Sequence, residues 1–156
     1  QLTPALTQLS IADMVKSAVV DLEGSARERQ VTIEPPTPPL VIAADATLVR
    51  RALDNLLANA IKYAPPSSTV EVTATAEEGM VRLEVADCGP GVPDERKAEL
   101  FTKFGTLDQA TISNRRGFGL GLYFVQLVAE AHGGTAGVRD RPGGGAVFAL
   151  TLAVGR

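Results

Sequence analysis

The chain has one cysteine, no long apolar run and no excess of basic residues, and each shortage excludes a class of protein. Cys88 alone cannot build an internal disulfide framework, so a stapled secreted scaffold is excluded and a reducing compartment is expected. No stretch approaches the roughly 20 apolar residues that a bilayer-spanning helix needs. No basic-then-apolar signal segment opens the sequence. With 15 Lys and Arg against 18 Asp and Glu, the net charge of −3 offers no footprint for duplex nucleic acid. Internal repeats and low-complexity tracts are also missing. A domain without membrane contact, in the cytoplasm, is the expectation.

What is present suits one globular domain: 156 residues, 45% of them hydrophobic and 21% charged. Residues 1–9 are mixed, include Pro4, and read as a linker from a missing upstream helical domain; residues 10–156 read as the domain itself. Ser10 is a candidate helix N-cap, with Asp13 three residues on. Ile11, Met14, Val15, Ala18, Val19, Leu22 and Ala26 follow at helical spacing, predicting a helix to about Arg29. Short strands are predicted at Val31–Ile33 and Leu40–Ala43, on either side of a proline-rich break. Asp45 caps a second predicted helix that runs to about Tyr63, where Pro65-Pro66 stops it. Alternation over residues 69–76 and at Val81, Leu83 and Val85 predicts a hairpin turning at Glu78-Gly79. A short helix near Asp94–Leu100, a mobile loop over 102–118, a third long helix from Leu120 to about Ala131 and a glycine-rich final hairpin complete the order. Strands joined as hairpins favour an α+β fold: a two-layer α/β sandwich, its mixed, mostly antiparallel sheet carrying three main helices on one face.

Four constellations carry chemistry. Asn55, Asn59 and Lys62 stand at i, i+4 and i+7, within about 60° of one another on a helix and opposite the Leu53/Leu57 stripe. Asparagine is a poor interior helix residue, so two on one face suggest a use. An amide oxygen suits magnesium, which borrows phosphate oxygens, and Lys62 offers phosphate a positive charge. A solvated helix face is the plain alternative. Next, Asp87-Cys88-Gly89-Pro90-Gly91 lies at a strand end. A carboxylate there can accept from an exocyclic amine, and the glycines admit close approach to a flat ring and positive φ. A simple turn is the alternative. Arg115-Arg116-Gly117-Phe118-Gly119-Leu120-Gly121 opens the third helix. Alternating glycines before a helix N-terminus make an anion cradle, to which Arg116 adds a charge-assisted contact. A glycine hinge is the alternative. Last, Phe101 and Phe104 flank the start of the loop, as lid anchors or as ordinary core residues.

In order and spacing, Asn55 to Tyr63, Asp87 to Gly91, Phe101 to Phe104 and Gly117 to Leu122 resemble the N, first glycine, F and second glycine boxes of sensor histidine kinases. That family's nucleotide fold is shared with DNA gyrase, heat-shock chaperones and mismatch-repair ATPases. The resemblance implies an ATP-binding catalytic domain with ATP and Mg2+ as cofactors. It implies that Asn59 holds magnesium, that Asn55 and Lys62 act on the phosphate path, and that Tyr63 flanks the nucleotide. Asp87 would bind the adenine amine in a pocket shaped by Gly89, Gly91 and Val92. Gly117, Gly119 and Gly121 would hold phosphates, with Phe104, Arg116, Phe118 and Leu120 among the nucleotide contacts and residues 105–116 as the ATP lid. Thr151 would assist at the adenine end through water.

Related hydrolases carry a water-activating glutamate where this chain has Asn55, and an amide takes no proton at neutral pH. Position 55 therefore argues for holding ATP for another nucleophile, and for γ-phosphoryl transfer to a histidine driven by positioning and charge neutralisation. The only histidine, His132, stands at a helix end before Gly133-Gly134 and reads as structural. The acceptor would then lie on a separate dimerisation domain, a response regulator would be served indirectly, and this monomeric fragment would bind ATP without labelling itself. An anti-sigma-factor-type serine kinase and a degenerate nucleotide-binding docking module are the alternatives.

Overall fold

The computed structural model describes residues 2–35, 40–102 and 118–153, the side chains of 118–120 excepted. Strand β1 (Thr7–Ser10) leads directly into helix α1 (Ile11–Glu28). Strands β2 (Thr32–Glu34) and β3 (Val41–Ala44) precede helix α2 (Ala46–Tyr63). The β4 (Thr69–Glu77) and β5 (Met80–Ala86) hairpin follows, then the single turn α3 (Asp94–Lys97), helix α4 (Phe118–Ala131) and the β6 (Ala136–Asp140) and β7 (Ala146–Ala153) hairpin.

The helix starts are set by local chemistry. Ser10 Oγ accepts from Asp13 N–H at 3.3 Å, and Asp45 Oδ1 accepts from Leu48 N–H at 3.0 Å. A cap of this kind stabilises a helix by about 1 kcal/mol. At its other end α2 is closed by Arg29, whose Nε donates to the Ile61 carbonyl at 2.8 Å.

Five strands form one sheet in the order β2-β4-β5-β7-β6, and only the β2–β4 pair is parallel. Val70, Val72, Val81, Leu83, Val85, Phe148, Leu150 and Leu152 are buried on one face of it. Leu53, Leu56 and Leu57 of α2 join the same core, each such side chain worth about 1.5–3 kcal/mol when fully buried. The fold is the expected two-layer α+β sandwich. Glu78 and Gly79 turn the β4–β5 hairpin with φ of 51° and 80°, a two-residue turn whose twist matches its strands.

Within the segment read as a linker, Thr7–Ser10 pairs antiparallel with β3 as a separate two-stranded sheet. Its alternation is too short to stand out, and its partner lies some 30 residues on. No described helix is long and apolar enough to cross a membrane.

Candidate functional site

Four polar or charged side chains are buried among the described residues: Asp45, Asn59, Asp87 and His132. Burying such a group without a partner is costly, so each needs an explanation.

Asp45 and His132 are each satisfied by backbone groups at the same end of the molecule. His132 Nε2 accepts from the Asp45 N–H at 3.0 Å, and Nδ1 sits 2.9 Å from the Val128 carbonyl. The ring therefore carries its proton on Nδ1. Asp45 Oδ2 accepts from Ala5 N–H at 2.8 Å. These backbone donors, Ala5 first and Leu48 next, hold its carboxyl below the ordinary carboxylate range. His132 is a structural link between the end of α4 and the start of α2, as its place in the sequence suggested.

Asn59 and Asp87 belong to the other end of α2. Asn59 is only 4% exposed, so its stripe is not a solvated face. One turn earlier, Asn55 Nδ2 donates to the Gly121 carbonyl at 3.1 Å, which brings the start of α4 over that stripe. One turn later stands Tyr63, with Lys62 Nζ 4.9 Å from its ring centroid. The Asp87 loop abuts this end. A Cβ on Gly89 would lie 2.6 Å from the Tyr63 carbonyl oxygen, so only glycine lets the two backbones meet. Gly91 has φ of +80°, whereas Gly89 is required for space rather than for positive φ. Read along α2, the Asp87 loop, Asn59 and the α4 start follow one another over about two helical turns, roughly 12 Å.

Asp87 itself stands just past the end of β5. Its N–H donates to the Ala146 carbonyl at 2.9 Å, and its Oδ1 accepts from Gly89 N–H at 2.8 Å. Burial pushes its carboxyl above the ordinary range, partly offset by the Gly89 and Ala146 bonds. Val92 is buried just beyond the loop, and its carbonyl accepts from Lys97 Nζ at 3.0 Å.

Thr151 does not join this group. It pairs with Arg82, five strand positions from Ala146, the residue that holds Asp87. Its Oγ1 is engaged by Thr135, accepting from that residue's N–H at 2.8 Å. It lines a separate cavity of about 220 Å3 with Arg82 and Arg139, on the face of the sheet away from the core. Strand pairing placed it there, and its position near the C-terminus carried no such information.

Phe101 is buried and its ring lies 6.1 Å from that of Phe148, so it anchors its end of the loop to the core. Phe104, Arg116, Gly117 and residues 105–116, expected from the resemblance to form the lid, lie outside the described residues, as do the side chains of residues 118–120. Sequence reading missed Gly145, whose Cβ would lie 2.0 Å from the Asp87 carbonyl oxygen. Three consecutive glycines, more than a tight turn requires, were the available signal.

Residues 44–156 match the family model described as histidine kinase-, DNA gyrase B- and HSP90-like ATPase. The chain belongs to this ATPase family. It is 34% identical over 134 residues to the sensor histidine kinase TmoS of Ectopseudomonas mendocina, covering 85% of this chain and 14% of TmoS. It is 32% identical over 150 residues to the sensor-like histidine kinase SenX3 of Mycobacterium tuberculosis, covering 96% of this chain and 37% of SenX3. The chain thus spans well under half the length of these relatives. Among solved structures, full-length ShkA in complex with AMPPNP superposes with a TM-score of 0.83 at 32% identity, covering 96% of this chain and 31% of that one. The nucleotide-free catalytic domain of the histidine kinase ThkA gives 0.82 at 25% identity, covering 96% and 95%. Membership in this ATPase family agrees with the order of the four boxes and with the burial of Asn59 and Asp87.

Proposed function

We propose that this chain is the ATP-binding catalytic domain of a two-component sensor histidine kinase. It holds Mg-ATP and presents the γ-phosphoryl group to a histidine on a separate dimerisation domain of the same parent, which then serves a response regulator. The observation that carries this reading is the burial of Asn59 and Asp87, with the Asp87 loop against Tyr63 and the start of α4 against Asn55, one turn of α2 to either side of Asn59.

The chemistry follows from the residues. A buried carboxylate at a strand end accepts the adenine amine, with Gly89, Gly91 and Val92 shaping the surroundings. Tyr63 flanks the nucleotide, and Lys62 offers its charge toward the phosphates. The glycine run at the α4 start supplies backbone N–H groups and the positive end of the helix dipole. The donor set fits magnesium: a buried neutral amide oxygen on Asn59 leaves the ion free to share phosphate oxygens and water. Bound there, the ion would neutralise phosphate charge. In the transfer, an imidazole nitrogen of the acceptor attacks the γ-phosphorus. A P–N bond forms from the lone pair of the unprotonated ring nitrogen, the β–γ bridging P–O bond breaks, ADP leaves with the electron pair, and the proton on the other ring nitrogen passes to solvent. Position 55 offers a carboxamide, which takes no proton at neutral pH, and this favours transfer over hydrolysis. The AMPPNP complex of the similar ShkA supports the nucleotide assignment.

Titration with a fluorescent ATP analogue, with and without Mg2+, tests the reading. Asp87→Asn keeps an oxygen for the Gly89 N–H but turns an amide donor toward the adenine amine. It should weaken binding at least about 100-fold, a loss of about 2.7 kcal/mol. Near-normal affinity in this variant would overturn the assignment. The same variant has a stability signature. Because burial raises the Asp87 pKa, the unfolded chain releases this proton first as pH rises, and ionisation costs the folded state. The ligand-free variant should therefore be more stable than the parent at pH 7. The advantage should close as pH falls toward the free-carboxylate value of about 4, as urea unfolding at a series of pH values would read.

A further inference from the structure

The carboxamide of Asn55 has an NH2 group with two hydrogens and one acceptor oxygen, and the structure commits one of the hydrogens. Nδ2 donates it to the Gly121 carbonyl at 3.1 Å, across 66 residues of sequence. Gly121 lies in the first turn of α4, and a Cβ placed on it would sit 3.6 Å from the Asn55 side chain, so the two helices touch here through these groups. The same helices meet again where the Arg51 guanidinium lies 4.7 Å from the Phe124 ring centroid, and once more at Asp45 and His132. Residues 55, 51 and 45 descend as 121, 124 and 132 ascend, so α2 and α4 run antiparallel with three cross-connections. The Asn55 connection is the one at the glycine end.

We propose that Asn55 is a positioning residue: through its side-chain amide it sets the first turn of α4 against the helix that bears Asn59. This rests on the nucleotide assignment above and adds a specific role. It separates the two asparagines of the stripe. The buried Asn59 suits the metal, whereas Asn55 spends an amide hydrogen on the α4 backbone. It also gives position 55 a second reason to be an amide. A carboxylate there lacks a donor, and an oxygen facing the Gly121 carbonyl oxygen is repulsive. An acidic residue would unfasten the turn as well as introduce a base.

The test uses the chain as it stands, with Asn55→Ala, Asn55→Asp and Asn55→Gln. Two readouts are taken: hydrogen exchange of the amides from Gly121 to Val125 without nucleotide, and affinity for a fluorescent ATP analogue with Mg2+. A single hydrogen bond predicts exchange in that turn faster by about 3-fold to 10-fold in Asn55→Ala, more in Asn55→Asp, with partial rescue in Asn55→Gln. Analogue affinity should fall in the same rank order, while exchange at the far end of α4 stays unchanged. Unaltered exchange in both Asn55→Ala and Asn55→Asp would overturn the tether. Faster exchange with unchanged affinity would show a structural bond only and overturn the positioning role. Should the parent chain fail to bind the analogue, the nucleotide assignment falls and this role with it, and the exchange data would still show whether the tether exists.

Discussion

The C-terminal end of α4 is fixed several times over, by His132 on Asp45, by Gly134 N–H on the Ala129 carbonyl at 2.8 Å, and by Ala153 N–H on the His132 carbonyl at 2.8 Å. At its glycine end the same helix is tied to α2 by a side-chain bond from Asn55. The buried polar groups divide the same way. The Asp45 carboxylate is answered by the N–H groups of Ala5 and Leu48, and the His132 ring by the Asp45 N–H and the Val128 carbonyl, while Asn59 and Asp87 lie toward the other end of α2. A fold that must bind an anion can saturate one end of a helix and leave the other receptive. On the function proposed above, the difference between the ends is a division between anchor and site.

Three substitutions would break or sharpen that division. The largest effect is expected at Gly134, where a Cβ would lie 1.9 Å from the Thr151 carbonyl oxygen, backbone against which nothing can give cheaply. Gly134→Ala should cost at least about 3 kcal/mol in urea unfolding, because relief requires moving β7 or the helix end. His132→Phe is next. It fills the space but leaves the Asp45 N–H buried without its acceptor, for a loss of about 1–3 kcal/mol. Analogue affinity should stay within about twofold of the parent, since 1.4 kcal/mol would be needed for tenfold. A large drop in affinity would mean that the anchor also tunes the site. The smallest effect belongs to Arg51→Gln, midway along the helix pair. Losing its contact with the Phe124 ring should cost about 0.5–1 kcal/mol in thermal or urea unfolding. A cost larger than that of His132→Phe would show that the middle of the pair, not its closed end, carries the anchor.

Much of the fold was legible because its signals are local. The leucine period of α2, the Ser10 and Asp45 caps and the Glu78-Gly79 turn all act within a few residues of themselves, and the structure has each where the pattern put it. The site was legible in part for a similar reason, since the Asn55–Lys62 stripe and the Asp87–Gly91 loop are compact patterns. Thr151 was misplaced because the face of a strand nearest a ligand depends on register with a neighbour, here Arg82 across β5. The strand at Thr7–Ser10 was missed because its pairing lies entirely with β3. Gly145 went unread because the atom that requires it belongs to Asp87, far away in sequence.

By itself, the sequence determined which residues would be helical, where helices and hairpins would turn, and which polar residues stood out of place on a helix or at a strand end. Periodicity and capping act on neighbouring dihedrals, and those are written residue by residue. Only the tertiary structure decided that Asn59 would be buried, that Asn55 would spend its amide on Gly121, and that His132 would answer Asp45. Each of these needs two segments brought together by the packing of α4 against α2, and the partner of a buried polar group is chosen by that packing rather than by its neighbours in the chain.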